Sequence, residues 1–162
     1  MCIRDSCGTD RIGISIILNS MCAFFDSANH PKNALIVKDL KKDDEKILEC
    51  NEDSPTSLFV FKTITNPFVG KTSYFKVTSG TLYTGMTLYN PKEKEEEKIV
   101  KIYQPMGKNL IEVDKLHAGE IGAFTRSTTC HTNDTLCDPR YPILIPDTEY
   151  SKPYYKKAIV PR

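Results

Sequence analysis

Between residues 57 and 137 the chain is cut into short runs rich in Val, Ile, Leu, Phe, Tyr and Thr, with no helical period between them. The runs span 57–64, 74–78, 81–83, 86–89, 99–103, 110–113, 120–124 and 135–137. Thr65-Asn66-Pro67, Ser79-Gly80, Gly85, Asn90-Pro91 and Ala118-Gly119 separate them, and such residues end strands and start turns. Strands this close together, with no crossover helices, pair antiparallel. The expected fold is therefore mainly β, an antiparallel barrel or sandwich. The charge-balanced stretch 92–98 is expected to be an exposed hairpin tip.

The flanks carry different signals. Ile14, Ile17, Leu18, Met21, Phe24 and Phe25 recur at i, i+3, i+4 and i+7, which predicts one N-terminal amphipathic helix of about three turns. A helix that short is marginal without packing, so a neighbour is expected on its apolar face. Ser27, Asn29, His30 and Pro31 stop it. Ala34 to Val37 reads as a short strand, and residues 38–53 alternate in charge, as a solvated hairpin or linker does. After residue 140, Pro142, Pro146, Pro153 and Pro161 surround Lys152, Lys156 and Lys157, the composition of a linker.

A chain of 162 residues with 40% hydrophobic content builds a core of about one domain. Its formal net charge of +1 supplies no overall field toward nucleic acid or anionic lipid, so any such contact must be local. No apolar run approaches the ~18 residues that would span a bilayer, and no leader pattern opens the chain. A cytoplasmic protein without membrane contact is expected. Cys2, Cys7, Cys22, Cys50, Cys130 and Cys137 include no pair at two-residue spacing, so they read as structural thiols and no metal is expected.

Gly70-Lys71-Thr72 matches the end of a phosphate-binding loop, but the glycine required five residues earlier is Thr65, and the following residues are β-rich. His30, His117 and His131 are far apart, and no nucleophile elbow or paired-His motif appears, so no catalytic residue is expected. Lys62, Lys71, Lys76, Lys101 and Lys108 interleave with Phe61, Tyr74, Phe75 and Tyr103, a mixture that suits a nucleic-acid surface. Strand alternation alone predicts the same pattern, with the aromatics in the core and the lysines in solvent.

The segment Phe59-Val60-Phe61-Lys62-Thr63-Ile64-Thr65-Asn66-Pro67-Phe68-Val69-Gly70-Lys71 resembles the opening of the second domain of elongation factor G. Further blocks follow in the family's order: Phe75 to Leu82, Gly85, Glu112 to Leu116, Ala118 to Ala123, and Asn133 to Asp138. Asn133 stands where the family carries glycine, and Asn is the side chain that best tolerates a left-handed turn. Gly70, Gly80 and Gly119 fall at strand junctions where a Cβ would be costly. Gly8, Thr9 and Asp10 fall where the family has a Gly-Ser-Ala loop near the guanine base, with Thr9-Asp10 in place of Ser-Ala.

The resemblance implies an antiparallel six-stranded-type β-barrel and divides the chain into the end of a GTPase domain (7–28), a linker or hairpin (29–55), the domain II barrel (56–139), and a linker into domain III (140–162). Residues 1–6 resemble nothing in the family and are read as a sequence artefact. The resemblance implies a parent that hydrolyses GTP with Mg on the ribosome, the barrel docking on small-subunit rRNA and touching the parent's remaining domains. The phosphate loop and the Asn-Lys-x-Asp motif are absent from these residues, so neither enzymatic activity nor a cofactor is expected of the fragment itself. Lys71, Lys76 and Lys108 are the expected rRNA contacts, since cations near turns reach phosphate. Two other readings stay open, a free-standing oligonucleotide-binding barrel and a ribosomal protection protein.

Overall fold

A computed structural model of the chain describes residues 8–66, 70–125, 127, 129–148, 151–152, 154–155 and 157–159. The expectations for residues 1–7, for Pro67-Phe68-Val69, and for Pro153, Lys156, Pro161 and the last strand residue at 160 lie outside the described residues.

One helix, α1 (Ile14–Phe24), precedes a β-rich body. A first hairpin is formed by β1 (Leu35–Asp39) and β2 (Asp44–Leu48). The longest strands, β3 (Ser57–Asn66) and β4 (Gly70–Ser79), pair with Leu58 opposite Val77 and Val60 opposite Phe75. Then follow β5 (Thr81–Tyr83), β6 (Thr87–Asn90), β7 (Glu95–Lys98), β8 (Ile102–Met106) and β9 (Asn109–Val113). The last strands are β10 (Lys115–His117), β11 (Ile121–Thr125), β12 (Thr135–Cys137) and β13 (Ile143–Leu144).

Eight strands form one antiparallel ladder in the order β7-β6-β12-β3-β4-β11-β8-β9. The pairing of β5 with β10 joins its two ends, because β5 runs into β6 and β10 continues from β9. A backbone bond reinforces the join: the Thr84 amide donates to the Asp114 carbonyl at 3.0 Å. The ladder thereby curls into a barrel and its inner face becomes the core. Leu58, Val60, Phe75, Val77, Leu82, Leu88, Ile102, Leu116, Phe124 and Leu136 meet there, drawn from β3, β4, β5, β6, β8, β10, β11 and β12. The Phe75 and Phe124 rings lie 5.3 Å apart in tilted contact.

A third sheet, β13-β1-β2, packs on the outside of this wall. Val37, Ile143 and Ile145 enclose Cys137, with Phe59, Leu48 and Tyr89 at the margin. Ile143 and Leu144 therefore form a strand within the stretch expected as linker. Residues 95–98, expected as a hairpin tip, pair with β6 as β7. β13 is two residues paired with distant, charged Lys38 and Asp39, and β7 is a short edge strand made of Glu and Lys, so propensity gives no warning of either.

Two glycines allow close approaches that a side chain would block. Gly80 has φ +73°, and a Cβ there would sit 2.6 Å from both the Ser54 carbonyl oxygen and the Thr56 Cα. Gly122 faces the core, where a Cβ would meet Leu116 Cδ1 at 2.3 Å.

Candidate functional site

The three lysines expected to meet rRNA do not converge. Lys71 and Lys76 both lie on β4, but an odd spacing along a strand points them to opposite faces. Lys71 shares the side of Phe75 and acts on the buried Cys130 thiol. Lys76 lies outside, beside Cys50 and Phe59, lining a cavity of about 290 Å³ beneath the third sheet. Lys108 sits exposed in the β8–β9 turn. Gly70, Gly80 and Gly119 have φ of +83°, +73° and +92°, and Asn133 has +73°. Gly8, Thr9 and Asp10 form an exposed turn before α1.

The block from Asn133 to Asp138 holds one barrel end together. Buried Asp134 accepts hydrogen bonds from the His131 amide at 2.7 Å and from Asn90 Nδ2 at 3.0 Å. Asn90 Oδ1 in turn accepts from the Lys92 amide at 3.1 Å, and Lys92 Nζ donates to the Asn133 carbonyl at 2.9 Å. A buried carboxylate is tolerable only with such partners.

The cysteines behave as enclosed thiols where they are buried. Burial, with Glu97 and Asp134 nearby, pushes Cys130 up to about 12, and burial pushes Cys137 up to about 11. Neither supplies a thiolate for catalysis near neutral pH. No cluster of three His, Cys, Asp or Glu residues able to hold a metal occurs among the described residues. Gly70-Lys71-Thr72 opens a strand, so no helix N-terminus follows to hold a phosphate. Among the described residues, Gly70-Lys71-Thr72 therefore does not fit a phosphate loop.

The aromatics expected in the core divide. Phe75 is fully enclosed, whereas Tyr74 and Tyr103 are half-buried on the outer wall and Phe61 is 42% exposed. Tyr74 and Tyr103 alternate with core Phe75 and Ile102, which turns them outward, and a register shift in β3 between Val60 and Lys62 leaves Phe61 as the extra residue of a bulge. Without it, Lys62 would share the inward face of Val60; with it, Lys62 stands outside, opposite Tyr74. The alternation of Lys and Tyr was the available sequence signal, but a bulge is not legible in it.

A positively charged cleft lies further along the same face of the third sheet. Lys41, Lys42, Lys46 and Arg140 line a cavity of about 230 Å³ with Asp39, Tyr141 and Ile143. Lys41 Nζ donates to the Arg140 carbonyl there, so its cation is partly committed to holding the chain beyond β12.

Comparison with known proteins matches residues 55–139, more than half of the chain, to the family model "Elongation factor G domain 2". The chain is 29% identical to elongation factor G of Salinibacter ruber over 166 aligned positions, which cover 96% of this chain and 22% of that protein. A crystal structure from Thermus thermophilus is similar with TM-score 0.62 and 23% identity, over 85% of this chain and 18% of that one, a likeness of fold. The chain thus spans about a fifth of the length of the relatives it matches.

Proposed function

The chain belongs to the elongation factor G family, through the second domain, and on that premise we propose that it is the part of a translational GTPase whose barrel docks on the small ribosomal subunit. The observation that carries the reading is the coincidence of the matched span, 55–139, with the β3–β12 barrel. GTP hydrolysis with Mg and translocation belong, in this reading, to the rest of a cytoplasmic parent protein. The barrel contributes a rigid body that bears on rRNA and on neighbouring domains. No helix among the described residues is long and apolar enough to cross a membrane. The chain's near-neutral charge is consistent with a local contact to RNA.

Sedimentation of the 162-residue chain with purified small subunits tests this reading. Co-sedimentation that weakens with added salt is expected, because phosphate contacts release counterions. Absence of binding at low salt would remove the docking role. The chain should also show no GTP turnover, and measurable hydrolysis would overturn the division of labour proposed.

A further inference from the structure

The ladder registers place five residues in one row across five strands: Lys62 on β3, Tyr74 on β4, Ala123 on β11, Tyr103 on β8 and Glu112 on β9. Residues directly opposite in an antiparallel ladder share a face. That face is the outer one, because the alternating neighbours Phe75, Phe124 and Ile102 belong to the core. Ala123 points outward and yet is fully buried. Its cross-strand neighbours are the two tyrosines, and Ile121 and Thr125 flank it along the strand, so these side chains close over its methyl. Tyr74 and Tyr103 are themselves only half-buried. Each has one side on the sheet and retains surface open to solvent.

Cations rim this pair. Lys62 is exposed beside Tyr74, Lys76 lies two residues further along β4, and Lys101 is exposed two residues before Tyr103. The carboxylate in the row, Glu112, is held by Lys101 Nζ at 2.9 Å. Lys62 and Lys76 have no such partner in the row. Two strand spacings separate the tyrosines by roughly 10 Å, too far to clamp one base between them. A positive surface bearing two separate aromatic faces matches a polyanion with unpaired bases. A duplex would present neither open bases nor a convex fit to this wall.

We propose that the outer face of β4, β11 and β8 binds single-stranded RNA, Tyr74 and Tyr103 each stacking on its own base while Lys62 holds the adjoining phosphate. This rests on the small-subunit docking reading and specifies its face and its mode: the target is an unpaired rRNA segment.

Fluorescence anisotropy of a short fluorescein-labelled single-stranded RNA, titrated with the 162-residue chain, tests it. Tyr74→Leu and Tyr103→Leu should each weaken binding by roughly 5- to 150-fold, the range of base–aromatic stacking. Tyr74→Phe and Tyr103→Phe should stay within about twofold, since the ring face is kept. Lys62→Gln should lower the slope of log affinity against log salt by a little under one. Leu variants that bind like the unchanged chain, or Phe variants as weak as Leu, would overturn the proposal. Ultraviolet crosslinking of the unchanged chain to the same RNA gives an answer independent of variant folding: crosslinks at Tyr74 and Tyr103 are expected, and crosslinks confined to other strands or to β1 and β2 count against it. Sedimentation with small subunits separates the two levels. Subunit binding with crosslinks elsewhere rejects this face and leaves docking standing; no subunit binding rejects docking, and the RNA titration still decides the face.

Discussion

Leu58 and Leu18 are the same side chain at correct positions in their elements, yet the first is fully enclosed and the second is 55% exposed. The barrel wall and α1 both carry the right local period. In the barrel, strands from β3 to β12 turn their apolar faces toward one interior, so each strand's burial depends on all the others. In α1 no residue is buried, no side chain caps the N-terminus, and no charge complements either end. Periodicity names a face. Only a surface that closes on that face converts it into stability, by about 1.5–3 kcal/mol for a fully buried Leu.

The comparison is broken most severely from within the barrel. Phe75→Ala removes a ring that touches Phe124 and should cost about 3–5 kcal/mol, read as a fall in the urea midpoint. Gly80→Ala should cost about 2–4 kcal/mol, because the new methyl meets backbone atoms of Ser54 and Thr56 that cannot rotate away and φ is positive. Asp134→Ala should cost about 1–3 kcal/mol, since Asn90 Nδ2 and the His131 amide both lose their acceptor. Its effect should approach neutrality if those donors reach water instead.

Alkali probes the same enclosure with a smaller effect. Cys130 and Cys137 are raised from 9.0 to about 12 and about 11 in the folded chain. Below 9.0 both folded and unfolded thiols keep their protons, and their contribution is constant. Above it the unfolded chain loses protons that the fold retains, so stability falls as pH rises toward 11 and 12. Thermal melts from pH 8 to 10.5 should show this decline, and Cys130→Ala should flatten it. The smallest effect is expected on the helix: Met21→Ala should change stability by no more than about 0.5 kcal/mol, as at other exposed sites. A loss near 2 kcal/mol would show that the apolar face of α1 is covered in solution and would erase the contrast.

The antiparallel β class and most of the strands were readable because Val, Ile, Phe and Tyr at period two between Gly and Pro turns are local signals. Strands β7, β10 and β13 were not: Glu95–Lys98 is entirely charged, and Lys115–His117 and Ile143–Leu144 are held extended by β5 and β1, distant in the chain. The lysines named as rRNA contacts were chosen for charge near turns. Sequence spacing could not tell that Lys71 and Lys76 leave opposite sides of one strand. The tyrosine platform was hidden for a related reason: Tyr74 and Tyr103 are 29 residues apart, and only the intervening β11 makes them neighbours.

By itself, then, the sequence determined the β class, the turn positions and the family to which the central blocks belong, all of which rest on near-neighbour chemistry and the order of short motifs. The tertiary structure alone decided which side chains face outward together. That depends on the Phe61 bulge, which resets the phase of β3, and on pairings between distant strands, and neither leaves a periodic trace in the chain.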